Sequence, residues 1–163
     1  WKVHKKLKLF STIASKKNYT TGHKLRHAMV KKLAEKHSID IYGRGYKPFP
    51  EHGKIIALKD YMFSIVIQNT MFGDIVDPFI TGAVPIFWGT KEVKKYFDQD
   101  GIIFFETLDE LDDILSNLTE EDYYSRMSSI KKNFELVKRF WRSDNQLADL
   151  INKMIIKENS HCG

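Results

Sequence analysis

The sequence contains a single cysteine, Cys162, so the chain cannot form an internal disulfide framework. This scarcity fits a reducing compartment, and we expect a cytoplasmic protein, with peripheral association with a membrane left open. No apolar run approaches the roughly 20 residues that cross a bilayer, and neither end resembles a secretory signal. The composition therefore predicts a soluble protein with no transmembrane segment.

Motifs for nucleotides and metals are also scarce. The sequence has no Walker motif and no Gly-x-Gly-x-x-Gly, and "GRG" at residues 43–45 is too short to indicate a dinucleotide site. His23 and His27 have the four-residue spacing of helical metal ligands, but no acidic or cysteine partner is placed near them. We therefore predict no metal site and no cofactor.

The residues that are present suffice for one globular domain. With 163 residues, of which 42% are hydrophobic and 13% aromatic, we expect a single domain over residues 1–163. The net charge of +5 suits anionic partners such as phosphates, nucleic acid or a membrane surface. Nucleic-acid binding requires basic residues gathered on one face with aromatics between them, whereas the lysine clusters here are scattered. We therefore predict no nucleic-acid partner.

Apolar runs alternate with segments of helical character along the chain. Runs with strand character cover Leu7 to Ser15, Ile39 to Gly43, Tyr61 to Asn69, Ala83 to Trp88 and Ile102 to Phe105. Helices are expected over residues 22–37, 90–97, 107–118, 119 to about 140 and 143 to about 156, with Thr or Ser caps before most of them. This order predicts right-handed crossovers and an α/β fold with a mostly parallel sheet.

The connection between the third and fourth strands is unusually short. Pro78 suits the first position of a helix capped by Asp77, which leaves barely one turn before a glycine stop at Gly82. A crossover between parallel strands normally takes a dozen or more residues, including a helix. We therefore expect a chain break, or a segment missing from the chain, between Thr70 and Ile75.

The segments "DYMFSIVIQNT" and "IVDPFITGAVPIFWG" resemble the signature of the α-1,3/4-fucosyltransferase family. "IASKKNYTTGHKLRHAMVKKL" and "IDIYGRG" resemble upstream segments of the same family, and the likeness covers most of Leu7 to about Phe105. The resemblance implies the donor-binding C-terminal half of a two-domain transferase of the GT-B type. Its fold would be a Rossmann-like α/β domain with a parallel sheet, helices on both faces, and the donor at the carboxyl ends of the strands.

Two departures from the family pattern affect this expectation. Gln68 stands where the family usually has Glu, which keeps hydrogen bonding but removes a charge. The family's Tyr-x-Thr-Glu-Lys segment is missing, because only "MFGD" lies between Thr70 and Ile75. The lysine of that segment is expected to hold the donor diphosphate. The chain therefore has either a degenerate site or a missing loop segment at this point.

The resemblance also implies the residues of a donor site. Arg26 would bind the diphosphate through its two-pronged guanidinium, and without the resemblance it would be read as a solvated helix arginine. The other expected donor-binding residues are Ser15, Gly43, Tyr46, Gln68, Asn69 and Thr70. Ordinary turn chemistry or a plain surface loop is the alternative interpretation for these positions.

The implied reaction is inverting transfer of L-fucose from GDP-fucose to a hydroxyl of a GlcNAc-containing glycan acceptor. Inversion needs a base for the acceptor hydroxyl and positive groups for the leaving diphosphate. The family's base is expected from an N-terminal acceptor-binding half that this sequence lacks, so we assign no catalytic residue and expect no transfer by this chain alone. Two alternatives stay open: the same architecture with another nucleotide sugar, and a non-catalytic module that binds nucleotides or anions.

Overall fold

The computed structural model describes residues 2–17, 19–51, 53–68 and 73–142. Strands β1 to β5 cover Lys8–Ile13, Asp40–Tyr42, Tyr61–Ile67, Val84–Trp88 and Ile103–Phe104. Helices α1 to α6 cover Thr21–Leu33, Lys54–Leu58, Gly73–Thr81, Leu108–Asn117, Glu120–Ser125 and Met127–Arg142. Two short 3₁₀ helices, Lys91–Lys95 and Gln99–Gly101, lie between β4 and β5.

The five strands form one parallel sheet in the order β2-β1-β3-β4-β5, as the alternating pattern predicts. After β1 the chain adds β2 on one side, and after β3 it adds β4 and β5 on the other. The direction of winding therefore reverses between β1 and β3. In open parallel sheets the crevice for a ligand lies at the carboxyl ends of the strands on either side of such a reversal.

The two larger hydrophobic clusters of the described residues pack against the sheet. Helices α1 and α4 contribute Met29, Leu33, Leu111 and Leu115 to one core, while α3 and α6 contribute to the other with Ile75, Phe79, Ile80 and Val137. Strand β3 is buried along its whole length, which explains its nearly continuous apolar sequence. Helices thus cover both faces of the sheet, as expected.

Helix α1 begins where the sequence predicts. The Thr20 side chain accepts a hydrogen bond from the His23 backbone N–H at 3.1 Å, and the His23 ring nitrogen accepts one from the Thr20 N–H at 3.2 Å. This reciprocal pair is a capping box. Regular helix ends at Leu33, before the predicted end at His37, because the chain turns through a positive φ of 52° at Ser38 to enter β2.

Helix α3 corrects the interpretation of Pro78. The helix spans Gly73–Thr81, so Pro78 lies inside it rather than at its first position. Its apolar residues Ile75, Val76, Phe79 and Ile80 all pack in one core, and this packing maintains the helix around the proline. The residues from 73 to 75 are helical, and residues 69–72 lie outside the described ranges, so the expected break stays a prediction for that segment alone.

The predicted glycine stop after this helix is confirmed. Gly82 has a φ of 72°, its N–H donates to the Phe79 carbonyl at 3.1 Å, and the next N–H, of Ala83, donates to the Pro78 carbonyl at 2.9 Å. This pair of bonds is the Schellman motif, which a left-handed glycine completes at no steric cost.

The predicted long helix from Thr119 is instead two helices, α5 and α6. Thr119 caps the first in a capping box with Asp122, as its position indicates. The helix then breaks at Arg126, whose backbone leaves α-helical geometry at φ −91° and ψ 5° and whose guanidinium donates to the Asp100 carbonyl at 2.5 Å. The helix predicted from Ser143 lies outside the described residues.

Candidate functional site

A small cavity lies at the carboxyl edge of β1 and β3, beside the point where the winding of the sheet reverses. Its volume is about 50 Å³. Four charged side chains from three helices line it together with the ends of the two strands: Arg26, Lys54, Asp74 and Asp77. The cavity is too small to enclose a nucleotide, so a ligand of that size would lie over it and reach these charges from the open edge of the sheet.

Arg26 extends from α1 to the end of β3. Its guanidinium nitrogen Nη2 donates a hydrogen bond to the backbone carbonyl of Ile67. Burial lowers the pKa of Arg26, and the negative charge of Asp74 partly opposes this shift. The Arg26 side chain is therefore half-buried and not free in solvent. It is held at the end of β3, on the residue that precedes Gln68.

Two carboxylates of α3 face the same cavity. Asp74 lies in the first turn of the helix, and burial raises its pKa, whereas the positive charges of Arg26 and Lys54 act to lower it. Asp77 forms an ion pair with Lys54, in which 3.0 Å separates Lys54 Nζ from Asp77 Oδ2. Two cations and two carboxylates thus line one small volume.

Gln68 connects the end of β3 to the turn after β4. Its backbone N–H donates to the Trp88 carbonyl at 2.9 Å, and its side-chain oxygen accepts from the Thr90 backbone N–H at 2.8 Å. A Cβ at Gly89 would lie only 2.2 Å from this oxygen, which explains why a glycine directly follows the apolar strand β4. The Gln68 amide oxygen is therefore engaged in this structure in holding the turn.

Gly43 brings the end of β2 against the end of β1. It has a φ of 127°, and a Cβ there would lie 2.1 Å from the Ala14 carbonyl oxygen. Its N–H donates to the Lys47 carbonyl, and its own carbonyl accepts from the Tyr46 N–H, each at 2.9 Å. The loop after β2 is thus placed at the same edge as Ser15, which directly follows Ala14, and both Tyr46 and Ser15 are half-buried.

The structure describes five of the seven expected donor-binding residues. Arg26 and Gln68 lie at the end of β3, while Ser15, Gly43 and Tyr46 lie at the ends of β1 and β2. Asn69 and Thr70 lie outside the described residues.

Sequence reasoning missed the contributions of Lys54, Asp74 and Asp77 to the cavity. A usable signal was present for the two carboxylates, because their three-residue spacing places them on one face of any helix that contains both. No sequence signal links Lys54 to them. Sequence reasoning also passed over an Asp-x-Asp segment at Asp98 and Asp100, which serves elsewhere: the Asp98 carboxylate caps the short helix before β5 and pairs with Lys132 at 2.9 Å.

The two histidines of α1 with four-residue spacing, His23 and His27, both contact backbone groups. His23 is bonded to Thr20 in the cap, and the His27 ring nitrogen Nε2 lies 2.9 Å from the Lys17 carbonyl. Within the described ranges, no cluster of three or more His, Cys, Asp or Glu side chains has the arrangement of a metal site. Among the helices of those ranges, none combines the length and the apolar character needed to cross a membrane.

Comparison with known proteins agrees with this architecture. The family model described as glycosyltransferase family 10 (fucosyltransferase) C-term matches residues 3–161, whereas a comparison with curated protein sequences found no match. A crystal structure of an α1,3-fucosyltransferase with GDP-fucose is similar to this fold, with a TM-score of 0.57 and 19% identity over 80% of this chain and 46% of that chain. A crystal structure with GDP has a TM-score of 0.58 and 20% identity over the same shares of the two chains. The chain thus spans less than half the length of these enzymes.

Proposed function

Because the chain belongs to glycosyltransferase family 10, the fucosyltransferases, we propose that it forms the donor-binding domain of an enzyme that transfers L-fucose from GDP-fucose. The observation that carries the proposal is the position of Arg26. Its half-buried guanidinium is held on the Ile67 carbonyl at the carboxyl end of β3, and the first turn of α3 lines the same cavity. A cation and a helix N-terminus at one edge form a suitable setting for a diphosphate.

The reaction in this proposal is inverting transfer to a hydroxyl of a GlcNAc-containing glycan. Arg26 would stabilise the negative charge that develops on the leaving GDP as the bond between the sugar and the diphosphate breaks. The base that removes the acceptor proton would come from a separate acceptor-binding half. We assign no catalytic base to the described residues, and we propose that residues 1–163 alone bind the donor without transferring the sugar.

Lys54 supports this role for the cavity. The family's Thr-Glu-Lys segment is absent between Thr70 and Ile75, but Lys54, from a different helix, places a second positive group beside the first turns of α3. Its ion pair with Asp77 would have to loosen for it to contact a phosphate. Lys54 is thus a candidate for part of the role that the resemblance gives to the missing lysine.

The remaining site residues are proposed to surround the nucleoside. Gly43 and Tyr46 form the loop at the end of β2, where an aromatic ring could stack on guanine, and Ser15 lies at the end of β1. Asn69 and Thr70 are proposed donor contacts that follow β3 in the sequence.

A domain of this kind acts on soluble nucleotide sugars, and we propose a cytoplasmic location.

Titration calorimetry with GDP and GMP tests the proposal. GDP should bind more tightly, because its second phosphate reaches Arg26 and the N-terminus of α3, and each lost charge-assisted contact weakens binding by about 1.5–3 kcal/mol. GDP-fucose and a uridine diphosphate sugar should be compared in the same experiment, because the fold alone does not select the sugar or the base. Equal affinities for GDP and GMP would contradict the diphosphate role of Arg26.

A second candidate is a domain that binds nucleotides without belonging to an active transferase. The balanced charges of the cavity favour this alternative, because two carboxylates beside two cations leave little net positive charge to stabilise a leaving diphosphate during transfer. Transfer assays on a longer form of the protein that includes an acceptor-binding half discriminate the two. Tight GDP binding without any transfer from GDP-fucose would favour the binding module.

A further inference from the structure

Asp74 lies at the position where an anionic ligand would gain most from α3. It is in the first turn of this nine-residue helix, where the unpaired N–H groups and the helix dipole favour negative charge. Its side chain lines the same cavity as Arg26, and the charges of the two side chains interact. The protein thus places its own carboxylate beside both positive features of the proposed diphosphate site.

A second carboxylate, Asp77, shares the positive charges around Asp74. Each of the three helices that line the cavity contributes to this set: Arg26 from α1, Lys54 from α2, and Asp77 from the same helix as Asp74. Lys54 is already paired with Asp77 at 3.0 Å. The charge of Asp74 is therefore opposed mainly by Arg26, the residue that a diphosphate would need.

We propose that Asp74 competes with the donor diphosphate for Arg26 and for the N-terminus of α3, and so limits the affinity of this site for its donor. This inference rests on the proposed function, because it presupposes that GDP binds at this edge. A phosphate group that reaches these charges from the open edge of the sheet must approach a carboxylate of like charge, and the repulsion between them is strong where water is partly excluded. Removing the carboxylate charge should therefore strengthen donor binding.

The test compares Asp74→Asn with Asp109→Asn as a matched control. Asp109 also lies in the first turn of a helix, α4, but it is exposed and does not line the cavity. Both changes remove one negative charge near a helix N-terminus, so each alters the net charge and removes one favourable interaction with a helix dipole. Titrations with GDP and GMP at low ionic strength keep the screening of charges small.

We expect Asp74→Asn to bind GDP about tenfold more tightly than the unaltered chain, the size of a charge interaction of about 1.4 kcal/mol in a partly screened site. The gain for GMP should be smaller, because a monophosphate carries less charge into the cavity. Asp109→Asn should stay within about twofold of the unaltered chain, because an exposed charge outside the cavity is largely screened.

The outcomes separate this inference from the function on which it rests. If neither the unaltered chain nor Asp74→Asn binds GDP, the proposed donor site is wrong. If both bind GDP equally, or if Asp74→Asn binds it more weakly, the donor site stands and the competition is wrong. Asp74→Ser provides a second variant should Asp74→Asn fold poorly, and it should likewise bind GDP more tightly than the unaltered chain. Equal affinities of Asp74→Ser and the unaltered chain would overturn the inference.

Discussion

The side-chain oxygen of Gln68 accepts a hydrogen bond from the backbone N–H of Thr90, 2.8 Å away, and so joins the end of β3 to the turn after β4. The chain requires Gly89 at this point because any side chain there would meet the Gln68 amide. The predicted site residue Gln68 therefore has a structural role that operates without a ligand. Its contribution can be measured apart from donor binding.

Replacing Gln68 with Ala should lower the free energy of unfolding by about 1–3 kcal/mol, because the partly buried Thr90 N–H loses its acceptor and the buried Gln68 side chain is removed. Gln68→Glu should lose less, because a carboxylate oxygen can accept the same bond. Urea denaturation measures both changes. Gln99→Ala is the matched control, because Gln99 is exposed and its truncation should change stability by less than about 0.5 kcal/mol. Equal losses for Gln68→Ala and Gln99→Ala would show that the bond to Thr90 contributes nothing.

Gly43 and Gly53 allow backbone strain to be separated from steric collision. Both have positive φ, 127° and 77°, but a Cβ at Gly53 meets no atom of the described residues within 4 Å, whereas one at Gly43 meets the Ala14 carbonyl at 2.1 Å. Gly53→Ala should therefore cost about 1–3 kcal/mol for backbone strain alone, because its φ of 77° and ψ of −157° lie in a region that essentially only glycine adopts. Gly43→Ala should cost more than Gly53→Ala, by about 1 kcal/mol or more, because the collision adds to the strain. Thermal or urea unfolding measures the difference, and comparable losses would refute the close approach of β2 to Ala14.

Lys6 should make stability depend on pH. Its ammonium group is buried and donates to the Thr81 carbonyl at 2.7 Å and the Lys59 carbonyl at 2.9 Å, and burial lowers its pKa from 10.5 to about 7. Between these values the unfolded chain binds more protons than the folded one, so stability should rise with pH, by up to about 1.4 kcal/mol per pH unit.

Urea unfolding between pH 7 and 9.5 measures this slope below the range in which the tyrosines titrate. Lys6→Met should remove the contribution of Lys6, while Lys5→Met, which replaces an exposed lysine, should retain it. A slope that is the same in Lys6→Met and Lys5→Met would show that Lys6 does not titrate in this range.

Arg26→Ala should weaken GDP binding by about 1.5–3 kcal/mol, which is roughly ten- to a hundredfold in affinity, because the diphosphate loses a charge-assisted contact. Lys24→Ala is the matched control, since it removes a positive charge from an exposed position on the same helix. Calorimetry should show a large loss for the first variant and little change for the second. If both variants bind GDP like the unaltered chain, Arg26 has no diphosphate role and its bond to the Ile67 carbonyl is structural only.

The local pattern of the sequence determined the class of fold. Apolar runs bounded by glycines and helix caps predicted five strands in their correct positions to within a few residues, and their alternation with helices predicted a parallel sheet. Thr20, Thr107 and Thr119 cap helices as their positions indicate. These features depend on contacts between residues close together in the chain, and such contacts can be inferred from spacing and residue type. The family's residue pattern could likewise be identified from contiguous segments.

Only the tertiary structure decided the features that depend on contacts between residues far apart in the chain. Packing of Ile75, Phe79 and Ile80 in the core keeps α3 helical around Pro78, although local rules place a helix start at that proline. Helix α5 ends at Arg126, whose guanidinium donates a hydrogen bond to the carbonyl of Asp100, 26 residues earlier in the chain. In the charged cavity Lys54 pairs with Asp77, which lies 23 residues later in the chain. The spacing of residues in the sequence does not predict a contact at such a separation, because the order of the strands in the sheet determines which loops meet. The sequence therefore determined the parallel-sheet scaffold and indicated Arg26 as a candidate site residue. The packing of three helices at the carboxyl end of β3 decided which charged side chains surround Arg26.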